Sequence, residues 1–354
     1  MPCIYGIIGS GWRAEYYLKI AQKLPAQFKV TGLVTSNQER AHYFRSTYEI
    51  NVYPTKEALI KSVDMDFCVV SIKREFAPDA ILFLHEKSIP VLTETPPADG
   101  LDQLNDLFIK TKGEGIQVAE QYFLLPIHQA GLKLINKGLL GRPVLANISF
   151  SHGYHGVSMI RKYLGLGMEL PVVSGQQFTI PVLAGPTRQG VPAKEMLIEK
   201  KQTVATLDFG NAIGIFEFES DQHRSYIRSN KVQIKGTHGE ILNHQVKYLP
   251  AFDKPMSGTI IRRNLGEDLN LEGTGLHQLT FGNEILYINP YLSSGLTDDE
   301  LAVAHVLERM IKYVRTGCNF YSLAEACHDT HLEFLINMAC ETKIEQKGQP
   351  QSWN

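Results

Sequence analysis

The sequence predicts an α/β domain built on a parallel sheet, followed by an α+β domain with a mostly antiparallel sheet. Three observations carry this expectation. From Cys3 to Ala119 short apolar runs alternate with amphipathic stretches of helical length, the pattern of βαβ units. Beyond Ala119, β-branched and alternating runs dominate, which suit half-buried antiparallel strands. The chain of 354 residues also exceeds the ~250–300 residues at which single cores stop growing. Two domains are therefore expected, 1–120 and 121–354.

The first strand candidates are Cys3 to Ile8, Phe28 to Val34, Phe67 to Ser71, Val91 to Thr93 and Gln117 to Ala119. They read as largely continuous apolar runs because a parallel strand is covered on both faces. Between them, Glu15 to Lys23, Gln38 to Tyr48, Pro78 to Lys87 and Leu101 to Lys112 repeat apolar residues at helical spacing. After the junction a helix is predicted over Pro126 to Lys137, a strand over Val144 to Phe150 and a helix over Val157 to Leu164. Strand candidates follow at Gln177 to Val182, Thr203 to Asp208, Ala212 to Phe218, Ser225 to Ser229 and Val232 to Lys235. Two helices, Asp298 to Thr316 and Leu323 to Thr342, precede a tail from Gln346 to Asn354 that is expected to be loosely ordered.

Composition narrows the function classes. Hydrophobic residues at 44% and charged residues at 20% describe an ordinary globular chain. A net charge of −2 provides no basic field for nucleic acid or an anionic membrane surface. No apolar run approaches the ~20 residues of a membrane-spanning helix. The five cysteines (Cys3, Cys68, Cys318, Cys327, Cys340) contain no CxxC pair, so neither a disulfide framework nor a zinc knuckle is signalled. Reduced thiols suit the cytoplasm. The expected partner is a small molecule, with no nucleic acid and no membrane.

The sharpest local signal is Gly6-Ile7-Ile8-Gly9-Ser10-Gly11-Trp12-Arg13-Ala14, which joins the first strand to the first helix, where a Rossmann dinucleotide fingerprint sits. Gly9 makes the tight turn, Ser10 follows it, Gly11 lets the backbone approach a pyrophosphate, and Ala14 takes the close-packing position. Amides at the helix start then face the dianion. Trp12 and Arg13 flank the nucleotide, with Arg13 offsetting its charge. The second strand runs into Thr35-Ser36-Asn37 without the acid that usually meets ribose hydroxyls. Thr35 and Ser36 can bond a 2′-phosphate, and Arg40 lies one turn into the next helix. These residues favour NADP, with NAD as the alternative. A ligand-free glycine turn and a merely solvated Arg40 are the bland readings.

Together with Pro90-Val91-Leu92-Thr93-Glu94-Thr95-Pro96, Ala119-Glu120-Gln121-Tyr122 and Tyr321-Ser322-Leu323, this fingerprint resembles the Gfo/Idh/MocA family. That family is named for glucose-fructose oxidoreductase, inositol dehydrogenase and a rhizopine catabolism protein. The resemblance implies a two-domain NAD(P)-dependent oxidoreductase acting on a sugar-like or other small carbonyl or alcohol substrate, and a homo-oligomer (dimer or tetramer). It also implies that Ser71, followed by Ile72 and Lys73, forms a cofactor-contacting turn. Glu94, at the carboxyl end of a strand, faces the nicotinamide side of the crevice or caps the next helix.

Two departures stand out. Where family members typically read Glu-Lys-Pro, this chain has Thr95 at the lysine position, and a hydroxyl is a poor general base. Against the family pattern Asp-x-Gly-x-His-x-x-Asp, the stretch Ser151 to Ser158 keeps His155 but places Ser151 and Ser158 at the acidic positions.

His155 is the first choice for acid/base catalyst, because an ordinary imidazole titrates near ~6.5. Tyr154 and Thr95 are the expected donors to the substrate oxygen. Tyr122, where the chain crosses between domains, borders the cleft; His152, Ser151 and Ser158 join it as substrate contacts. Structural histidines and a packing role for Tyr122 are the bland alternatives. With no HExxH motif and no carboxylate nearby in the sequence, no metal is assigned to His152 and His155. Two other functions fit the departures: a silent NAD(P)-binding sensor or accessory protein, and a reductase of an imine or conjugated double bond, which needs only a weak acid.

Overall fold

The computed structural model describes residues 2–187, 189–266 and 269–354. Its first half contains β1 (Cys3–Ile8), α1 (Trp12–Lys23), β2 (Phe28–Val34), α2 (Gln38–Tyr48), β3 (Val52–Tyr53), α3 (Lys56–Ser62), β4 (Phe67–Val70), α4 (Ala77–Glu86), β5 (Val91–Thr93), α5 (Leu101–Thr111) and β6 (Ile116–Val118). The strands form one parallel sheet in the order β3-β2-β1-β4-β5-β6. Its direction of winding reverses between β1 and β4, and the carboxyl ends of those strands open the crevice in which such folds bind ligands. Tyr5, Ile7, Leu33, Phe67, Val69 and Leu92 fill the core around it. The sequence reading missed β3 and α3. A two-residue strand carries no periodicity, and α3 announces itself only through Thr55, whose hydroxyl caps the Ala58 amide at 3.2 Å.

The second half contains α6 (Pro126–Asn136), β7 (Pro143–Ser149), α7 (Gly153–Leu164), β8 (Val172–Leu183), β9 (Leu197–Asp208), β10 (Ile213–Glu219), β11 (Lys231–Gly236), β12 (Gly239–Leu242), β13 (Gln245–Tyr248), β14 (Met256–Thr259), β15 (Ile261–Leu265), β16 (Gly275–Phe281), β17 (Glu284–Ile288), α8 (Asp298–Thr316), α9 (Leu323–Thr342) and β18 (Gln346–Lys347). A nine-stranded sheet in the order β14-β13-β12-β11-β7-β10-β9-β8-β18 is antiparallel except where β10 lies parallel to β7. Strands β15, β16 and β17 make a small antiparallel sheet of their own. Helix α7 packs on β7 and β10, and α9 packs on β8, so both cover the large sheet.

Two expectations fail here. Ser225 to Ser229 is not a strand: β10 already has β7 and β9 on its two edges, and Tyr226 and Ile227 are left exposed. The tail is not loose either. Gln346 pairs with Val173, and the Trp353 ring is buried between Phe108 of α5 and His331 of α9. Asn105 of α5 holds the same tail through the Gln351 side chain at 2.9 Å and the Ser352 amide at 3.0 Å. One large buried aromatic offsets much of the entropy of ordering a short segment.

Buried histidines make the fold acid-sensitive. Loss of hydration pushes His128 of α6 and His328 of α9 down to about 3, while in the unfolded chain both titrate near ~6.5. Below that value the unfolded state binds more protons. Stability is therefore complete above about pH 6.5 and falls as pH drops toward 3, at about 1.4 kcal/mol per pH unit for each histidine. Urea unfolding between pH 6 and pH 4, in units of about one, is expected to show this slope, and His128→Gln to make it shallower by about one histidine's share. An unchanged slope in the variant refutes the assignment.

Candidate active site

The turn after β1 is shaped for a phosphate. Gly9 has φ +127°, and a Cβ there would lie 2.0 Å from the Ser71 carbonyl oxygen, so β1 and β4 close on a position that only glycine fills. Gly11 caps α1 with no side-chain hydrogen bond, and a Cβ on it would meet nothing within 4 Å. First-turn amides thus stand beside open space, which suits an anion. Glu15 in that turn would repel one, but Arg40 pairs with it at 2.5 Å. Arg40 also donates Nε to the Ser10 carbonyl at 3.0 Å and lies over the Tyr43 and Phe44 rings at 4.7 Å each. The Ser10 and Thr35 hydroxyls are 2.9 Å apart, with Ser36 exposed next to them. The steric cradle at Gly9 and the open amides at Gly11 fit a nicotinamide dinucleotide.

Arg13 and Glu94, read separately from the sequence, bind each other. Arg13 donates Nε to Glu94 at 2.8 Å and approaches Asp299 at 3.9 Å. Tyr17 donates to the same Glu94 oxygen. The Arg13 charge is therefore matched by protein carboxylates, which corrects the expectation that it offsets the nucleotide. Trp12 is half exposed and packs edge-on against Tyr16 at 5.6 Å.

The second half of the site is the start of α7. The helix begins at Gly153, not Val157, because a carboxylate from α9 meets its first turn: a Cβ at Gly153, φ +42°, would lie 1.7 Å from Oε1 of Glu333. Burial pushes the Glu333 carboxyl above its ordinary range, against the pull of His155, Arg74 and the Tyr154 amide. The Tyr154 hydroxyl sits 3.0 Å from the Thr95 carbonyl oxygen and 3.1 Å from its Oγ1. His155 places Nδ1 2.5 Å from Oε2 of Glu120, and the other Glu120 oxygen accepts the Tyr122 amide at 2.9 Å. Both partners of this pair are buried. A carboxylate on Nδ1 fixes the tautomer and leaves Nε2 as the reactive nitrogen. The Tyr122 ring packs against His155 at 4.4 Å and Phe150 at 5.5 Å.

His152 lies 5.0 Å from the His155 ring and 6.1 Å from that of His223. Desolvation, then His155 and His223, push it below its ordinary value, so it is neutral at neutral pH. Ser151 and Ser158 are 0% exposed, and their hydroxyls lack a hydrogen-bond partner among the described residues. They are interior packing residues, and the expectation of substrate contact is corrected. Carboxylates do stand at His155, but they come from β6's end and from α9. Glu120 and Glu333 went unnoticed as site residues. The one available signal was an acid next to an aromatic just past a parallel strand, in Glu120-Gln121-Tyr122.

Residues 4–122 match a family model described as an oxidoreductase family with an NAD-binding Rossmann fold. Over 170 residues the chain is 26% identical to an uncharacterized protein of Saccharomyces cerevisiae, covering 46% of this chain and 47%, about half, of that relative. Among solved structures, levoglucosan dehydrogenase in complex with NADH matches 99% of this chain and 100% of its own, at 15% identity and a TM-score of 0.72. The WlbA dehydrogenase from Bordetella pertussis, in complex with NADH and UDP-GlcNAcA, matches 99% of each chain at 12% identity and a TM-score of 0.68. An oxidoreductase from Agrobacterium radiobacter, in complex with NAD+, L-tartaric acid and magnesium, matches 98% of each chain at 13% identity and a TM-score of 0.69. At such identities the likeness is one of fold.

Proposed function

We propose, on the premise that residues 4–122 are those of a Gfo/Idh/MocA oxidoreductase, that this chain is an NAD(P)-dependent oxidoreductase of sugar-like substrates. The observation that carries the reading is the buried Glu120–His155 pair, set where the start of α7 meets Thr95 at the end of β5. Levoglucosan dehydrogenase, a neighbour in fold, is known in complex with NADH and levoglucosan, which supports the sugar class.

Gly9, Ser10 and Gly11 would hold the pyrophosphate of the dinucleotide, and Thr35, Ser36, Arg40 and Ser71 would border its adenosine and central portions. A bound nicotinamide supplies one capability, hydride exchange at the substrate carbon. The proton work belongs to the chain. His155 Nε2 takes the hydroxyl proton in oxidation and returns it in reduction, while Glu120 on Nδ1 stabilises the imidazolium. Tyr154 is no base, since burial pushes its hydroxyl well above the ordinary range. Its hydroxyl donates to the Thr95 carbonyl and Oγ1 and so positions Thr95, whose own proton is available to the substrate oxygen. With threonine in the place of the family lysine, no ammonium shares this task.

NADP is the preferred cofactor in this reading. Its support is the pair of hydroxyls at Thr35 and Ser36, the missing acid, and Arg40 folded over the Ser10 carbonyl. The chain is read as cytoplasmic, in keeping with five free cysteines, and no helix among the described residues is long and apolar enough to cross a membrane. Val172, Phe178, Val204 and Ile213 share the outward face of the large sheet and support a homo-oligomer.

Titration with NADPH and NADH, followed by turnover assays on sugars, polyols and keto acids, tests the proposal. Both nucleotides are expected to bind, NADPH about tenfold more tightly, with Arg40→Ala erasing that preference and a sugar or polyol turned over. Binding without turnover of any compound identifies a sensor and rejects the enzyme.

A further inference from the structure

A cavity of about 400 Å³, within the size range of small-molecule sites, is not lined by His155 itself but shares a neighbour with it. Tyr122 belongs to both: its ring packs on His155 at 4.4 Å and lines the cavity. His128, Phe150 and Tyr163 form the buried floor, while His223, Asn230 and His244 make an exposed rim. The reaction assigned above leaves this space without a role.

Its lining is chemically specific. It contains no lysine or arginine. Its one charged side chain, Asp298, is neutralised by two bonds from Arg262, at 2.6 Å and 3.0 Å. His128 hydrogen-bonds the Tyr163 hydroxyl through Nδ1 at 2.8 Å, which leaves Nε2 without a protein partner among the described residues. Desolvation keeps that ring neutral. The Asn230 amide also has no side-chain partner among the described residues. A carboxylate or phosphate entering here would lose hydration with no cation to replace it, which costs several kcal/mol. A purely apolar ligand would strand the buried ring nitrogen of His128. Aromatic walls with neutral hydrogen-bonding groups suit a ring that is apolar on its faces and hydroxylated at its edge.

We infer that this cavity seats an uncharged sugar ring, so that the substrates are neutral saccharides or glycosides and exclude sugar acids, sugar phosphates and nucleotide sugars. This rests on the oxidoreductase reading for the word substrate, but the binding claim is separable. Calorimetry at pH 8, with the full chain saturated by NADPH, is to be run with cellobiose and methyl glucoside against glucuronate and glucose 6-phosphate. The neutral compounds are expected to bind at least about tenfold more tightly. Asn230→Arg, an exposed change that leaves the fold intact, is expected to reverse or erase the discrimination by bringing a cation to the rim. His128→Leu is expected to weaken the neutral ligands about tenfold. Equal or tighter binding of the charged sugars by the parent chain, no binding of any sugar, or indifference to Asn230→Arg overturns the inference. Binding of neutral sugars without their turnover sinks the enzymatic reading and keeps this one; turnover confined to charged sugars does the reverse.

Discussion

Replacing His155 by asparagine is expected to lower kcat by about 10²–10⁴-fold while nucleotide affinity stays within about twofold. Asparagine keeps much of the imidazole's volume and can still hydrogen-bond the Glu120 carboxylate, yet it cannot carry a proton between substrate and solvent. The contacts proposed for the dinucleotide lie on the turns after β1, β2 and β4, away from α7, so binding provides an internal control. Glu120→Gln makes the complementary test. It retains a side chain within reach of Nδ1, 2.5 Å away in the parent, but removes the charge that stabilises the imidazolium and frees the tautomer. Its loss is expected to fall on kcat with KM unchanged, on the order of 10²–10⁴-fold. Steady-state rates read from nicotinamide absorbance, alongside fluorescence titration of the nucleotide, check both variants. Parental turnover in His155→Asn removes this histidine from the chemistry.

What the sequence made legible is local. The fingerprint around Gly9 and Gly11 depends on a strand, a turn and a helix that are contiguous, so the crevice at the switch point follows directly. His155, Tyr154 and Thr95 were singled out through short motifs, and the Tyr154 ring touches both of the others. The carboxylates around His155 were hidden because pairing across 35 residues leaves no periodic trace. Glu333 was more remote still, and its contact with Gly153 moves the start of α7 back from Val157. Aligned with acids, Ser151 and Ser158 were read as cleft residues, but both are fully buried, with no hydrogen-bond partner for their hydroxyls among the described residues. The β12–β17 region was missed for another reason. All of its strands but β16 are four or five residues long, too short for apolar alternation to declare itself. Trp353 illustrates the general limit, since a terminal aromatic reads as tail until its partners on α5 and α9 are known.

Gly9→Ala is expected to abolish nucleotide binding, by more than about 100-fold for NADPH and NADH alike. Two costs coincide at this position. A φ of +127° is a conformation that L side chains rarely adopt, and the new Cβ would sit 2.0 Å from the Ser71 carbonyl oxygen, far inside contact distance. Backbone strain alone amounts to about 1–3 kcal/mol, and the overlap is with main chain, which cannot swing aside like a flexible side chain. The turn must therefore rearrange, or β1 must part from β4 where Ile8 pairs with Val70. Either response dismantles the amide cradle, and each lowers Tm by several degrees. Gly11→Ala separates binding from stability: φ there is −75° and a Cβ meets nothing within 4 Å, so the fold tolerates the methyl group. Because that open space is where a pyrophosphate would lie, Gly11→Ala is expected to keep the parental Tm and still weaken nucleotide binding. Should Gly9→Ala bind NADPH as the parent does, or Gly11→Ala leave affinity untouched, the phosphate does not sit at this turn.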